Sequence, residues 1–139
     1  MNNFAIEAAQ FSGREIGMLQ SLREIPGFLA FTAIYVLLIL KEQTFALISL
    51  LVLAIGITLT GFFPSVYGLY YTTVLMSVGF HYFETVNQSL TLQWIPKADT
   101  PAFMGKALAV KGAAAVLAYS LLWILLEYSH FQYVSLYAM

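Results

Sequence analysis

Between Gln43 and Phe83 the chain carries no charged residue, and the apolar run is too long for one helix. It breaks at Gly61-Phe62-Phe63-Pro64-Ser65, a turn signal. A bilayer core takes about 20 apolar residues in helix. The pattern therefore predicts one helix over about 44–62 and a second over about 66–94. A third apolar stretch, about 19–40, precedes them, and a fourth, about 103–128, follows the polar loop Pro96-Lys97-Ala98-Asp99-Thr100-Pro101. In the first stretch Arg23 and Glu24 lie near the start, with Pro26-Gly27 one turn later. Proline there is compatible with a helix beginning or with a kink whose freed groups neighbours satisfy.

Composition fits this pattern. Of 139 residues, 60% are hydrophobic and 9% charged, against roughly 25% charged in soluble domains. The expectation is an all-α polytopic membrane protein with four transmembrane helices in a single unit over 1–139. Its first partner would be the lipid bilayer, and its site the plasma (inner) membrane. Lys41, Lys97, Lys106 and Lys111 lie toward one side, Arg14 and Arg23 toward the other, which puts the lysine-bearing loops in the cytoplasm and both ends outside. The first twenty residues, with Glu7, Arg14 and Glu15, do not read as a secretory signal. An outside start without a signal suggests a preceding helix, so the chain reads as a piece of a longer protein.

Net charge is −1 with no basic cluster, which excludes a nucleic-acid footprint. The chain has no cysteine, hence no thiol chemistry or thiolate metal site. No paired-histidine metal spacing and no phosphate loop occur, so no metal or cofactor is expected. Nor is an enzyme, since no nucleophile–base constellation is evident.

The candidate chemistry sits on the third helix. At 100° per residue, Ser77, His81, Glu84, Gln88 and Thr91 share roughly a quarter of its circumference. Hydrocarbon disfavours such a stripe, so it is expected to face protein or water. Glu84 and Lys111 come out at similar depth on consecutive helices and are expected to pair. Two readings of the stripe stand: a proton or substrate relay through His81 and Glu84, or hydrogen-bonding glue between helices. Arg23 and Glu24 either snorkel to headgroups or contact substrate at the outer mouth. Gly105, Ala109 and Ala113 form a small-residue row on the fourth helix, expected to pack closely, with Gly56, Gly68 and Gly79 as similar points. Tyr67, Tyr70 and Tyr71 are expected to form an outer aromatic belt, and Trp94 and Trp123 to mark interfaces.

The segments from Phe11 to Phe28 and from Ser77 to Leu90, with the restart at Met104-Gly105-Lys106-Ala107-Leu108, resemble spans two, four and five of major facilitator superfamily transporters. The likeness covers about 11–127 and implies part of an N-terminal six-helix half. The Gly-Asp-Arg/Lys-Gly-Arg-type motif typical of the second-to-third loop is replaced here by Lys41-Glu42-Gln43. The resemblance implies a portion of a secondary transporter for an unknown small molecule, completed by the remaining spans or oligomer partners. It makes Glu84, His81, Gln88 and Lys111 pathway or coupling groups, possible carriers of proton coupling. The alternative is a non-transporting four-helix subunit that scaffolds a complex.

Overall fold

A computed structural model describes residues 2–129. The described residues form six α-helices and no strand: α1 Asn2–Ala9, α2 Gly13–Phe28, α3 Ala33–Leu37, α4 Glu42–Phe62, α5 Val66–Trp94 and α6 Thr100–Ser129. A 3₁₀ turn, Leu29–Thr32, joins α2 to α3. The chain divides into two compact units, one reaching Asn87 and the other beginning at Gln88.

The first unit is built around α5. The α4–α5 turn is local in origin. Pro64 stops α4, Ser65 Oγ accepts the Gly68 N–H at 3.1 Å, and the Ser65 carbonyl takes the Leu69 N–H at 2.8 Å. The first bond satisfies an N–H that a helix start leaves open, and the second closes the first regular turn of α5. The two helices then pack antiparallel through glycines. A Cβ on Gly79 would lie 2.5 Å from the Leu53 nitrogen and 2.7 Å from the Ser49 carbonyl oxygen. One on Gly56 would lie 2.8 Å from the Met76 nitrogen. Missing side chains thus allow backbone to approach backbone. Thr60 donates to the Gly56 carbonyl at 2.8 Å, so its buried hydroxyl stays satisfied.

Before α2, Gln10 takes a left-handed φ of 54°. The Phe11 N–H then returns to the Ala5 carbonyl at 3.1 Å. This fold-back places Phe4, Ala5 and Phe11 in one apolar cluster with Leu19 of α2 and Leu69 of α5. Tyr70 stacks edge-on against Phe11, centroids 5.8 Å apart. Helix α1 was not anticipated from the sequence, since its eight residues lie outside every apolar span.

The predicted helix over 19–40 requires correction. The structure breaks it into α2, the 3₁₀ turn and α3. Pro26 cannot donate an N–H to the turn before it, and the helix ends two residues later at Phe28. The four predicted membrane-length helices also reduce to two: among the described residues, only α4 and the Thr100–Leu125 stretch of α6 are both long and apolar enough to cross a membrane. The α2–α3 segment is too fragmented, and in α5 the tyrosines, threonines, His81 and Glu84 dilute the apolar run. The limits of α5 agree with expectation, whereas α4 and α6 each begin slightly earlier than predicted.

In the second unit a loop stapled by local bonds leads into α6. Thr100 Oγ1 donates to the Pro96 carbonyl at 3.0 Å, and the Asp99 N–H bonds the same oxygen at 2.9 Å. From Pro101 to Ile124 every residue of α6 but Ala115 is exposed. Its small-residue row is exposed too, and a Cβ on Gly105 or Gly112 would meet nothing within 4 Å. The tight approaches in the described structure belong to Gly56 and Gly79 against α4–α5 backbone, to Gly68 against the Phe63 carbonyl at 2.6 Å, and to Gly27.

Candidate functional site

The upper half of the α5 stripe meets α2. Ser77, 4% exposed, donates its hydroxyl to the Arg23 carbonyl. One turn on, the His81 ring lies over Gly27, where a Cβ would come within 2.8 Å of Cε1. Each step of four residues on α5 is matched by a step of four on α2. That common period is the signature of two parallel helices in fixed register.

Tyr82 extends the contact along the chain. Its hydroxyl lies 2.6 Å from Thr32 Oγ1, which also bonds the Leu29 carbonyl at 2.7 Å. Since the Thr32 proton goes to Leu29, Tyr82 is the donor to Thr32. The Tyr82 ring also packs against Phe45 of α4, centroids 5.5 Å apart. Thr32 closes the 3₁₀ turn, so one α5 side chain braces both that turn and the start of α4.

Glu84 and His81 are half-buried in the first unit. Gln88 is exposed. Lys111 belongs to the second unit and is exposed on α6. Arg23 and Glu24 are exposed and pair with each other at 3.1 Å. Tyr67 and Tyr71 are exposed, but Tyr70 is half-buried in its contact with Phe11, so only two of the three belt tyrosines stand outward. Among the described residues no group of three metal-ligating side chains occurs.

The sequence marks Ser77 and His81 but not their partners. Gly27 and the Arg23 carbonyl carry no side-chain signal for them. The 23/27 and 77/81 spacings become informative only when set side by side. Thr32 was missed because its role depends on Tyr82, 50 residues away.

The N-terminus of α2 carries a capping box. Ser12 N–H and hydroxyl both donate to Glu15 Oε2 at 2.7 Å, while the Glu15 N–H bonds Ser12 Oγ at 3.5 Å. The Ser12 backbone bond, then its hydroxyl, hold the Glu15 carboxyl below the ordinary glutamate range, with Arg14 adding to the effect and slight desolvation opposing it. A carboxyl depressed in the folded state contributes stability above its unfolded pKa and loses it as pH falls through the folded value. Acidification through that window is therefore expected to fray α2. Amide exchange at residues 13–16 should accelerate there in the native chain and show no such pH step in Glu15→Gln.

Among the described residues these features define an all-α class, with two helices long and apolar enough to cross a membrane and a polar-striped third. No family model, curated protein or solved structure matches the chain.

Proposed function

We propose that the chain is a portion of a major-facilitator-like secondary transporter that moves a small molecule across the plasma (inner) membrane, coupled to protons. In this reading the segments over about 19–40, 44–62, 66–94 and 103–128 all cross the bilayer, the first as a broken span. The observation that carries the proposal is the half-buried Glu84 on α5, one turn from His81, in a helix packed against the apolar α4. An ionisable pair at that depth is costly to keep in a membrane and so points to a pathway or relay. Glu84 and His81 pass the proton, Gln88 and Lys111 line the pathway, and Arg23 and Glu24 stand at its outer mouth. The remaining spans, or oligomer partners, complete the structure.

The scaffold-subunit reading has its own support. Ser77 and His81 are engaged with α2, which is what interhelical glue requires. Proteoliposomes of the full-length protein, loaded with a pH-sensitive dye and challenged with a small-molecule panel, separate the two. Transport predicts a substrate-dependent proton flux that Glu84→Gln reduces to the protein-free level. A flux unchanged in Glu84→Gln sinks the relay, and no flux with any compound favours the scaffold.

A further inference from the structure

A groove of about 710 Å³ lies between the start of α2 and the start of α5. Arg14 and Glu15 bring its charge, Met18 and Leu22 its apolar length on α2, and Val66, Tyr67 and Tyr70 the facing wall at the start of α5. Arg14, Met18 and Leu22 follow at intervals of four, so they line one face of α2. At 1.5 Å per residue the groove runs about 12 Å from charge to hydrocarbon.

The charged end is dipolar. Both Ser12 bonds go to Glu15 Oε2, which leaves Oε1 without a hydrogen bond among the described residues. Arg14 is near enough to act on that carboxyl electrostatically, yet the two form no ion pair. One cationic donor group and one open carboxylate oxygen therefore stand side by side, with a net charge of zero. An aromatic face adjoins them, suited to an ammonium.

We propose that this groove binds a zwitterionic phospholipid with a primary amine, phosphatidylethanolamine. Its phosphate sits on the Arg14 guanidinium, its ammonium on Glu15 Oε1 beside Tyr67, and an acyl chain along Met18 and Leu22. The amphiphilic gradient of the groove distinguishes this occupant from a free phosphate, which would leave the apolar length uncovered. The inference rests on the membrane reading, because it places lipid against α2 and α5.

The test uses the full chain in non-ionic detergent, with phosphatidylethanolamine and phosphatidylglycerol of matched acyl chains supplied at equal mole fraction and bound lipid counted by native mass spectrometry. Phosphatidylethanolamine adducts should exceed phosphatidylglycerol adducts by about two- to fivefold, the scale of exposed charge contacts. Glu15→Gln keeps the capping box, since glutamine serves at that position, and should erase the preference. Arg14→Gln should reduce both adducts, and Met18→Trp, which fills the groove, should remove them; circular dichroism checks that each variant keeps its helicity. A preference for phosphatidylglycerol, or one unchanged by Glu15→Gln, overturns the proposal, as do adducts unaffected by Met18→Trp. Carbonate extraction reports on the membrane reading by itself. Release of the chain with the lipid preference intact would refute that reading and leave the groove standing.

Discussion

Gly79→Leu is expected to destroy the packing of the first unit. The new side chain would start 2.5 Å from the Leu53 nitrogen and 2.7 Å from the Ser49 carbonyl oxygen. Both are backbone atoms of α4, so no rotamer change relieves the clash. Even Gly79→Ala forces α4 and α5 apart, and overpacking of this kind costs about 1–3 kcal/mol. Leucine adds three more carbons in the same space, and against a total stability of about 5–15 kcal/mol the loss is large. The separation would also pull Met76 away from Gly56 and Tyr82 from Phe45, because all three contacts lie along the same helix pair. Thermal unfolding should show Gly79→Leu without a cooperative transition and Gly79→Ala with a lowered one. An unshifted midpoint for Gly79→Ala would refute the close approach. Gly105→Ala on α6, where a Cβ meets nothing within 4 Å, is the matched control and should leave the midpoint in place.

Gly27→Leu is expected to be nearly as damaging alone, but for a different reason that a second substitution can undo. Here the atoms in the way belong to the His81 ring, at 2.8 Å for Cε1 and 2.9 Å for Nε2. A side chain can be removed where a backbone cannot. Gly27→Leu alone should cost about 1–3 kcal/mol by overpacking. His81→Ala alone should cost less, since it vacates a half-buried site. In the double variant leucine occupies the space the ring leaves, and the pair should be less destabilised than the sum of the single changes. A coupling of about 0.5–3 kcal/mol is the range for residues in contact. Additive effects would mean that His81 does not lie over Gly27. The cycle also bears on function. If His81 serves only as packing, the double variant should retain whatever proton flux the native protein shows; a relay role predicts that packing is rescued and flux is not.

What the sequence disclosed, and what it concealed, divides by the range of the interactions. The limits of α5 were legible because Pro64-Ser65 and Pro96 are local stops that act on their own helix. The stripe from Ser77 to Thr91 was legible as one face, because the helical period is fixed. Its division was not. Ser77 is buried against the Arg23 carbonyl while Gln88 is exposed, and nothing within α5 determines which turns meet a neighbour. The break after Phe28 was hidden for the same reason. Pro26 allowed either a kink or a helix start, and the 3₁₀ turn is held by a tyrosine 50 residues on. The small-residue row on α6 was as visible in sequence as Gly56 and Gly79, yet only the latter two meet a backbone. A glycine reports that close approach is allowed; the partner decides whether it happens.

The parallel register of α2 and α5 bears on the order in which the first unit assembles. Helix α5 leaves α4 through the three residues Phe63–Ser65, so closing that hairpin costs little chain entropy. Reaching α2 means closing a segment of 54 residues between Arg23 and Ser77, and α5 can do so only after α4 has already reversed the chain. During synthesis the hairpin is therefore the early intermediate, and α2 is the helix that waits. Until the Ser77 hydroxyl arrives, the Arg23 carbonyl and the bare Gly27 surface form an unfinished edge beside the proline. In the finished unit α5 covers that edge with Ser77 and His81.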